Sequence, residues 1–328
     1  MSKAKKKFSA WNLIWLVPAA LVLAVVLVLG VMMYLIPACE TVSSARVAGS
    51  ADWMSALPDD MPLSDVVIPG THDSATKNVQ LAYFSKCQAL SIGEQLDAGF
   101  RYLDIRLGDS EGFPLMHGFT HCTAGGFPWS NSLMLADVLE ECYAFLEAHP
   151  TETVIFCVKH EHGDEPDAVF AAELKKVLDG KSGLWYAGES LPTVGEARGR
   201  LVLLKRFNDG GILPGIAFNW IDQGGFDEPE KNAERNENPT LTLFVQDRYE
   251  YEADEKWEAF TAGMKAAEDG AAGLNFLSTK GNAKYGHPFK YAPGLNKKLM
   301  SESDLTGWIV VDFGSAELAK HVYERNFG

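Results

Sequence analysis

Seven apolar runs of this chain end in residues able to move protons or hold an anion. VVIPGTHD ends in His72 and Asp73, YLDIRL carries Asp104 and Arg106, and PLMHG ends in His117. TVIFCVKHEH ends in Lys159, His160, Glu161 and His162, and RLVLLKRF in Lys205 and Arg206. LTLFVQDRY ends in Asp247, Arg248 and Tyr249, and GWIVVDF in Asp312. One polar strand end means little, since every strand must end, but seven that converge describe a site. The set has histidines, carboxylates and cations, and no evident nucleophilic Ser or Cys. Such a set suits acid–base chemistry on an anionic group. Imidazole titrates near neutrality, so one ring can accept a proton while another donates. His72 and His117 fit that division across a phosphodiester. An internal hydroxyl would be deprotonated by one ring and the leaving oxygen protonated by the other. Asp312 would orient one of them, and Asp73 or Asp104 the other. Arg106 suits the phosphoryl group, because its planar fork bonds two oxygens and stays charged.

Each residue also has a structural explanation. A lone strand-end His is usually structural or solvated, and His121, His149, His160, His162, His287 and His321 are read that way. Asp73 and Asp247 could cap following helices, Arg206 could pair with a surface carboxylate, and Tyr249 could be barrel packing. His160-Glu161-His162 invites a zinc reading, but the two rings lack a third ligand nearby. No metal is expected, because a guanidinium two residues from Asp104 would repel a divalent cation, and no cofactor is expected either.

Short apolar runs that alternate with helical patterns indicate a parallel α/β fold. Strands are expected at 65–69, 101–107, 114–117, 153–160, 200–207, 241–248, 273–278 and 307–313, with amphipathic helices such as 133–148 and 168–178 between them. Eight strands close a (β/α)8 barrel of the TIM type, whose catalytic groups collect at the C-terminal strand ends.

A separate segment precedes the barrel. Lys3, Lys5, Lys6 and Lys7 carry four positive charges, which leaves −19 on the remainder against −15 for the whole 328 residues. No charge follows until Glu40, and Leu13 to Pro37 is apolar apart from Tyr34. Roughly 20 apolar helical residues span a bilayer core. Trp11, Trp15 and Tyr34 suit the interfaces, and the lysines should stay cytoplasmic. The expected organisation is a basic tail at 1–10, a single transmembrane anchor at 11–37, a linker at 38–58 and a catalytic barrel at 59–328 outside the cytoplasm. Cleavage near Ala45 to Ala48, or lipidation at Cys39, are the alternatives to an intact anchor at the cell membrane. The acidic surface excludes general nucleic-acid binding and should not hold anionic lipid by bulk charge. Residues 227–238 read as a charged loop. Cys87 and Cys122, in loop-like surroundings of an exported domain, are expected to form a disulfide, and Cys142 and Cys157 to be core thiols.

LSDVVIPGTHDSAT (63–76), SIGEQLDAGFRYLDIRL (91–107) and PLMHG (114–118) together resemble the X domain of phosphatidylinositol-specific phospholipase C in its bacterial, metal-independent form. HPTETVIFCVKHE, RGRLVLLKRF, FVQDRY and GWIVVDF follow in the right order. The resemblance implies a distorted barrel that cleaves phosphatidylinositol, or inositol glycolipid anchors, to diacylglycerol and cyclic inositol phosphate. It implies His72 as general base held by Asp312, and His117 as general acid assisted by Asp73. It implies Arg106 on the phosphate, supported by Asp104, with Lys159, Arg206, Asp247 and Tyr249 on the inositol ring. A membrane phospholipid is the expected partner and a monomer the expected state. The alternatives are a metal-dependent glycerophosphodiester phosphodiesterase and a non-catalytic inositol-lipid binding module.

Overall fold

The computed structural model describes residues 10–34, 49–126, 130–218, 220–224, 234–238, 241–266, 272–283 and 286–328. Its strands are β1 (Ile68–Thr71), β2 (Tyr102–Gly108), β3 (Met116–His117), β4 (Thr120–His121), β5 (Val154–His162), β6 (Leu201–Lys205), β7 (Ile216–Ala217), β8 (Glu234–Asn238), β9 (Leu241–Gln246), β10 (Ala272–Phe276) and β11 (Trp308–Val311). Eight of them run parallel in the order β7-β6-β5-β2-β1-β11-β10-β9, and β8 adds antiparallel to β9. Among the described residues β7 pairs with β6 alone, so the sheet curls into an open, distorted barrel. Helices cover its outer face. Leu135–Ala148, for example, buries Leu135, Val138, Leu139, Cys142, Phe145 and Leu146, the stripe expected of a one-sided helix.

Two-residue alternation explains how the sheet builds a site. Ile68, Tyr102, Ile155, Val202, Leu243 and Trp308 point into one buried cluster inside the curl. Two residues further along each strand stand Gly70, Asp104, Cys157, Leu204, Val245 and Val310, all buried. Another two residues on come His72, Arg106, Lys159, Arg206, Asp247 and Asp312. Side chains two apart share a face, so an apolar floor on six strands places six polar groups at one mouth. Gly70 belongs to this layering, because a Cβ there would lie 2.8 Å from Tyr102 Cβ.

The other end of the barrel is closed by a buried charge pair. Arg101 donates to Glu152 Oε2 through Nη2 at 2.8 Å and Nε at 3.0 Å. Its remaining donors reach the carbonyls of Leu96, Phe100, Ser50 and Ala51. Those contacts fasten the short 3-10 segment Ser50–Ala56 to the barrel base.

Several expectations are corrected. Residues 114–117 do not supply a barrel strand, since Met116–His117 forms a separate hairpin with Thr120–His121. The eighth parallel strand is Ile216–Ala217, too short to carry a periodic signal. β1 starts at Ile68, because Leu63–Asp65 forms a 3-10 turn. Glu234–Asn238, expected as loop, pairs with β9, so tertiary pairing overrides a weak strand propensity. The rest of that charged stretch lies outside the described residues. Cys87 and Cys122 are free, as are Cys142 and Cys157. The disulfide fails because both thiols are core groups. Cys122 packs with Val79 and Leu115 in the sheet–helix layer, while Cys87 lies under the mouth with Sγ 3.6 Å from the Ser85 carbonyl.

The N-terminal helix spans Ala10–Tyr34, is free of charge and contains Pro18. Among the described residues no helix is long and apolar enough to cross a membrane. The expected transmembrane span therefore has no support there. The lysine cluster, Cys39 and the first part of the linker lie outside the described residues.

Candidate active site

The mouth of the barrel holds a cavity of about 740 Å³ lined by His72, Arg106, His117, Lys159, Arg206, Asp247, Tyr249 and Asp312, among others. Asp73 and Asp104 lie just beneath, 1% and 0% exposed. All ten expected site residues are thus brought together.

His72 follows β1, and its backbone N–H bonds the Val311 carbonyl at 3.0 Å. That bond sets the ring beside Asp312, with Nδ1 2.7 Å from Oδ1. Gln88 locks both strand ends by donating to the carbonyls of His72 and Val311. Arg106 Nη2 lies 2.9 Å from His72 Nε2. A guanidinium can only donate, so Nε2 is the accepting nitrogen and Nδ1 carries the proton given to Asp312. Burial opposes charge on this ring, but the adjacent Asp312 carboxylate outweighs it, and the His72 pKa is raised above its ordinary value.

A second pair stands opposite. His117, on the β3–β4 hairpin, bonds Asp73 Oδ2 through Nδ1. Asp73 has φ of 43°, a left-handed conformation that Asp tolerates better than most residues. Its N–H donates to Asp104 Oδ2 at 3.0 Å, so the carboxylate that fixes Asp73 also serves the cations.

Arg106 joins the two pairs. Its Nε and Nη2 reach Asp104 Oδ2 at 3.1 and 3.0 Å, and Nε lies 3.7 Å from Asp73 Oδ2. Arg206 Nη1 reaches the other oxygen of Asp104 at 3.2 Å. Burial would raise the Asp104 pKa, but Arg106 and Arg206 override it and hold the carboxyl well below the usual range. A buried charge so placed needs this many partners.

Lys159, Arg206, Asp247 and Tyr249 line one side of the same cavity. The Arg206 guanidinium lies 3.5 Å from the Trp220 ring centroid and 4.0 Å from Asp247. Tyr249 donates to Asp222 Oδ1 at 2.9 Å. Three of the other histidines make their contacts outside the cavity lining. His160 stacks on Phe170, His149 bonds Asp52, and His321 bonds the Glu302 carbonyl.

Sequence reasoning gave no role to Glu161, Trp220 or Asp222. Glu161 accepts from the Gly118 N–H at 2.9 Å and from Arg106 Nη1 at 3.4 Å, and pairs with Lys159 at 2.5 Å. Burial works against its charge, yet Arg106 and Lys159 bring its pKa down to about 2. Its place two residues beyond Lys159 on β5 was the available signal. Trp220 and Asp222 sit after β7, where no periodic pattern marks them.

Residues 60–207 match the family described as phosphatidylinositol-specific phospholipase C, X domain. The chain is 26% identical over 292 residues to the 1-phosphatidylinositol phosphodiesterase of Staphylococcus aureus strain Newman, covering 80% of this chain and 88% of that one. A solved phosphatidylinositol-specific phospholipase C from S. aureus superposes with a TM-score of 0.69 at 23% identity, covering 83% of this chain and 97% of the other. The enzyme of the same name from Listeria monocytogenes gives a TM-score of 0.64 at 25% identity, over 84% and 98%. The stretch that is similar to the phosphatidylinositol-specific phospholipase C X domain holds β1, β2, β5 and the His72, Asp73, Asp104, Arg106 and His117 constellation.

Proposed function

We propose that this protein cleaves phosphatidylinositol, or inositol-linked glycolipid, by intramolecular phosphoryl transfer. The observation that carries this reading is the pair of His–Asp couples on either side of Arg106 in one cavity. His72 Nε2 takes the proton of the inositol 2-hydroxyl, whose oxygen bonds phosphorus. The bond from phosphorus to the glycerol oxygen breaks, and His117 protonates that oxygen, releasing diacylglycerol and a cyclic 1,2-phosphate. Asp312 stabilises the imidazolium that forms on His72, and Asp73 supports His117. Water can open the ring afterwards with the two roles exchanged.

Arg106 binds two non-bridging oxygens, which draws its Nη2 off His72 Nε2 and frees the base as substrate arrives. Asp104 fixes the guanidinium in that position. Lys159, Arg206 and Asp247 bond ring hydroxyls, and the Tyr249 face packs on the ring. No step calls for a metal ion. The acidic surface gives little attraction to anionic bilayers, so the uncharged segment Ala10–Tyr34 is assigned the role of anchor, with the barrel outside the cytoplasm and acting as a monomer. A chain lacking residues 1–49 should leave the membrane fraction, and its retention there would contradict the anchor.

The reading is tested by presenting the full chain with phosphatidylinositol, phosphatidylcholine and phosphatidylglycerol vesicles and measuring diacylglycerol. Release from the inositol lipid alone supports it. Equal release from all three, or from none, contradicts it.

A further inference from the structure

Beneath the mouth lies a thiol that the proposed chemistry does not use. Cys87 is fully buried, and one donor atom from each of Asp73, Cys87 and His117 lies within 4.8 Å of the other two. A carboxylate oxygen, an imidazole nitrogen and a sulfur make a mixed donor set that zinc accepts. The Asp73 carboxylate supplies an independent sign. Its Oδ2 bonds His117, while Oδ1 is buried and has no hydrogen-bond partner. Buried carboxylate oxygens are seldom left unpaired.

We propose that Asp73, Cys87 and His117 form an inhibitory site for a thiophilic divalent cation, with Zn2+ as its ligand. Tetrahedral zinc bonds of about 2.0–2.3 Å place donors about 3.3–3.8 Å apart, so the wider-spaced donors of this set draw in while His117 Nδ1 and the Asp73 Oδ2 that it bonds move apart. The Cys87 thiol and His117 Nδ1 each give up a proton to solvent as the metal binds, which leaves the ring neutral with its remaining proton on Nε2. Hard cations are rejected. Arg106 Nε, 3.7 Å from Asp73 Oδ2, repels any dication, and only an ion that gains from the sulfur bond overcomes that repulsion.

His72, Cys87 and Asp312 make a second cluster that shares the thiol. It is the poorer host, because both nitrogens of His72 are engaged, one of them by the guanidinium. A metal on His117 Nδ1 removes that ring from its carboxylate and stops turnover. This inhibitory consequence rests on the role proposed above for His117, whereas metal binding does not.

The test therefore reads binding first. Co2+ is titrated into the full chain and the thiolate-to-cobalt charge-transfer absorption recorded, with Zn2+ then added as competitor. The band is expected in the parent chain and in Cys122→Ser, and to be lost in Cys87→Ser and Cys87→Ala. His117→Gln should weaken cobalt binding by about 100-fold, at the upper end of what even an outer-shell partner is worth, while His72→Gln should not. Absence of the band in the parent chain, its persistence in both Cys87 variants, or dependence on His72 in place of His117 overturns the site. In the second arm Zn2+ inhibits cleavage of phosphatidylinositol by the parent chain but not by Cys87→Ala, whose activity without metal is unchanged, and Mg2+ and Ca2+ inhibit neither. Binding without inhibition would leave the site standing and refute the role of His117.

Discussion

The Arg106 guanidinium lies 2.9 Å from His72 Nε2 and at the same time bonds Asp104 Oδ2. One cation therefore caps the base, leans on a buried carboxylate and stands 3.7 Å from the Asp73 that supports the opposite ring. A phosphate entering between the rings meets a fork already oriented. Replacing Arg106 by Ala should lower kcat/KM by about 10²–10³-fold or more, the scale of one lost transition-state donor. Arg106→Lys should recover little, because a point charge does not reproduce two parallel bonds. Steady-state kinetics on vesicles, with thermal unfolding as a check on the fold, measures both. Near-parent rates in Arg106→Lys would contradict the bidentate role.

The two histidines can be told apart by the leaving group. An acid is needed only when the departing oxygen is basic. His117→Ala should lose about 10²–10⁴-fold on phosphatidylinositol, the usual worth of a general acid, and much less on an inositol aryl phosphodiester, whose phenolate leaves unaided. His72→Ala should be impaired on both substrates to a similar degree. Identical patterns for the two variants would remove the division of labour.

The base also sets a pH limb. His72 works only when neutral, and its pKa is raised because Asp312 outweighs the effect of burial. Log kcat/KM should therefore fall on acidification through a midpoint above 6.5, the ordinary value for imidazole. Asp312→Asn removes the raising charge and leaves the burial, so the midpoint should move down. Its plateau should also drop by about 10²–10⁴-fold, since an amide can donate to Nδ1 and hold the wrong tautomer. A midpoint that stays or rises in this variant would contradict the coupling.

Far from the chemistry, Arg101 and Glu152 are both wholly buried. Breaking one partner of such a pair typically costs about 3–5 kcal/mol. Glu152→Ala should lose about that much stability in urea unfolding while keeping kcat, because the pair sits at the end of the barrel opposite the cavity. Unchanged stability would show that the base clasp is dispensable.

The layering of the strands explains why so much of the site could be read from the sequence. His72, Arg106, Lys159, Arg206, Asp247 and Asp312 each stand four residues after a buried apolar residue of the interior cluster, so spacing alone implied a shared mouth. Glu161 obeys the same alternation, but spacing alone does not show which groups it pairs with. Trp220 and Asp222 were illegible, because they follow a strand of two residues. PLMH has strand composition, and only tertiary pairing shows that the segment carrying His117 turns back on Thr120–His121 instead of joining the barrel. The disulfide expected between Cys87 and Cys122 fails for a related reason. Exposure cannot be inferred from polar neighbours in sequence, and both thiols are buried.

The central claim is that two imidazoles move the protons of an internal displacement at phosphorus without a metal. Phosphorus NMR of phosphatidylinositol vesicles treated with the full chain in excess EDTA follows the products directly. The account predicts a cyclic inositol 1,2-phosphate as the first product, with any acyclic phosphate appearing only later. An acyclic phosphate formed first, or turnover seen only after calcium is restored, would contradict it.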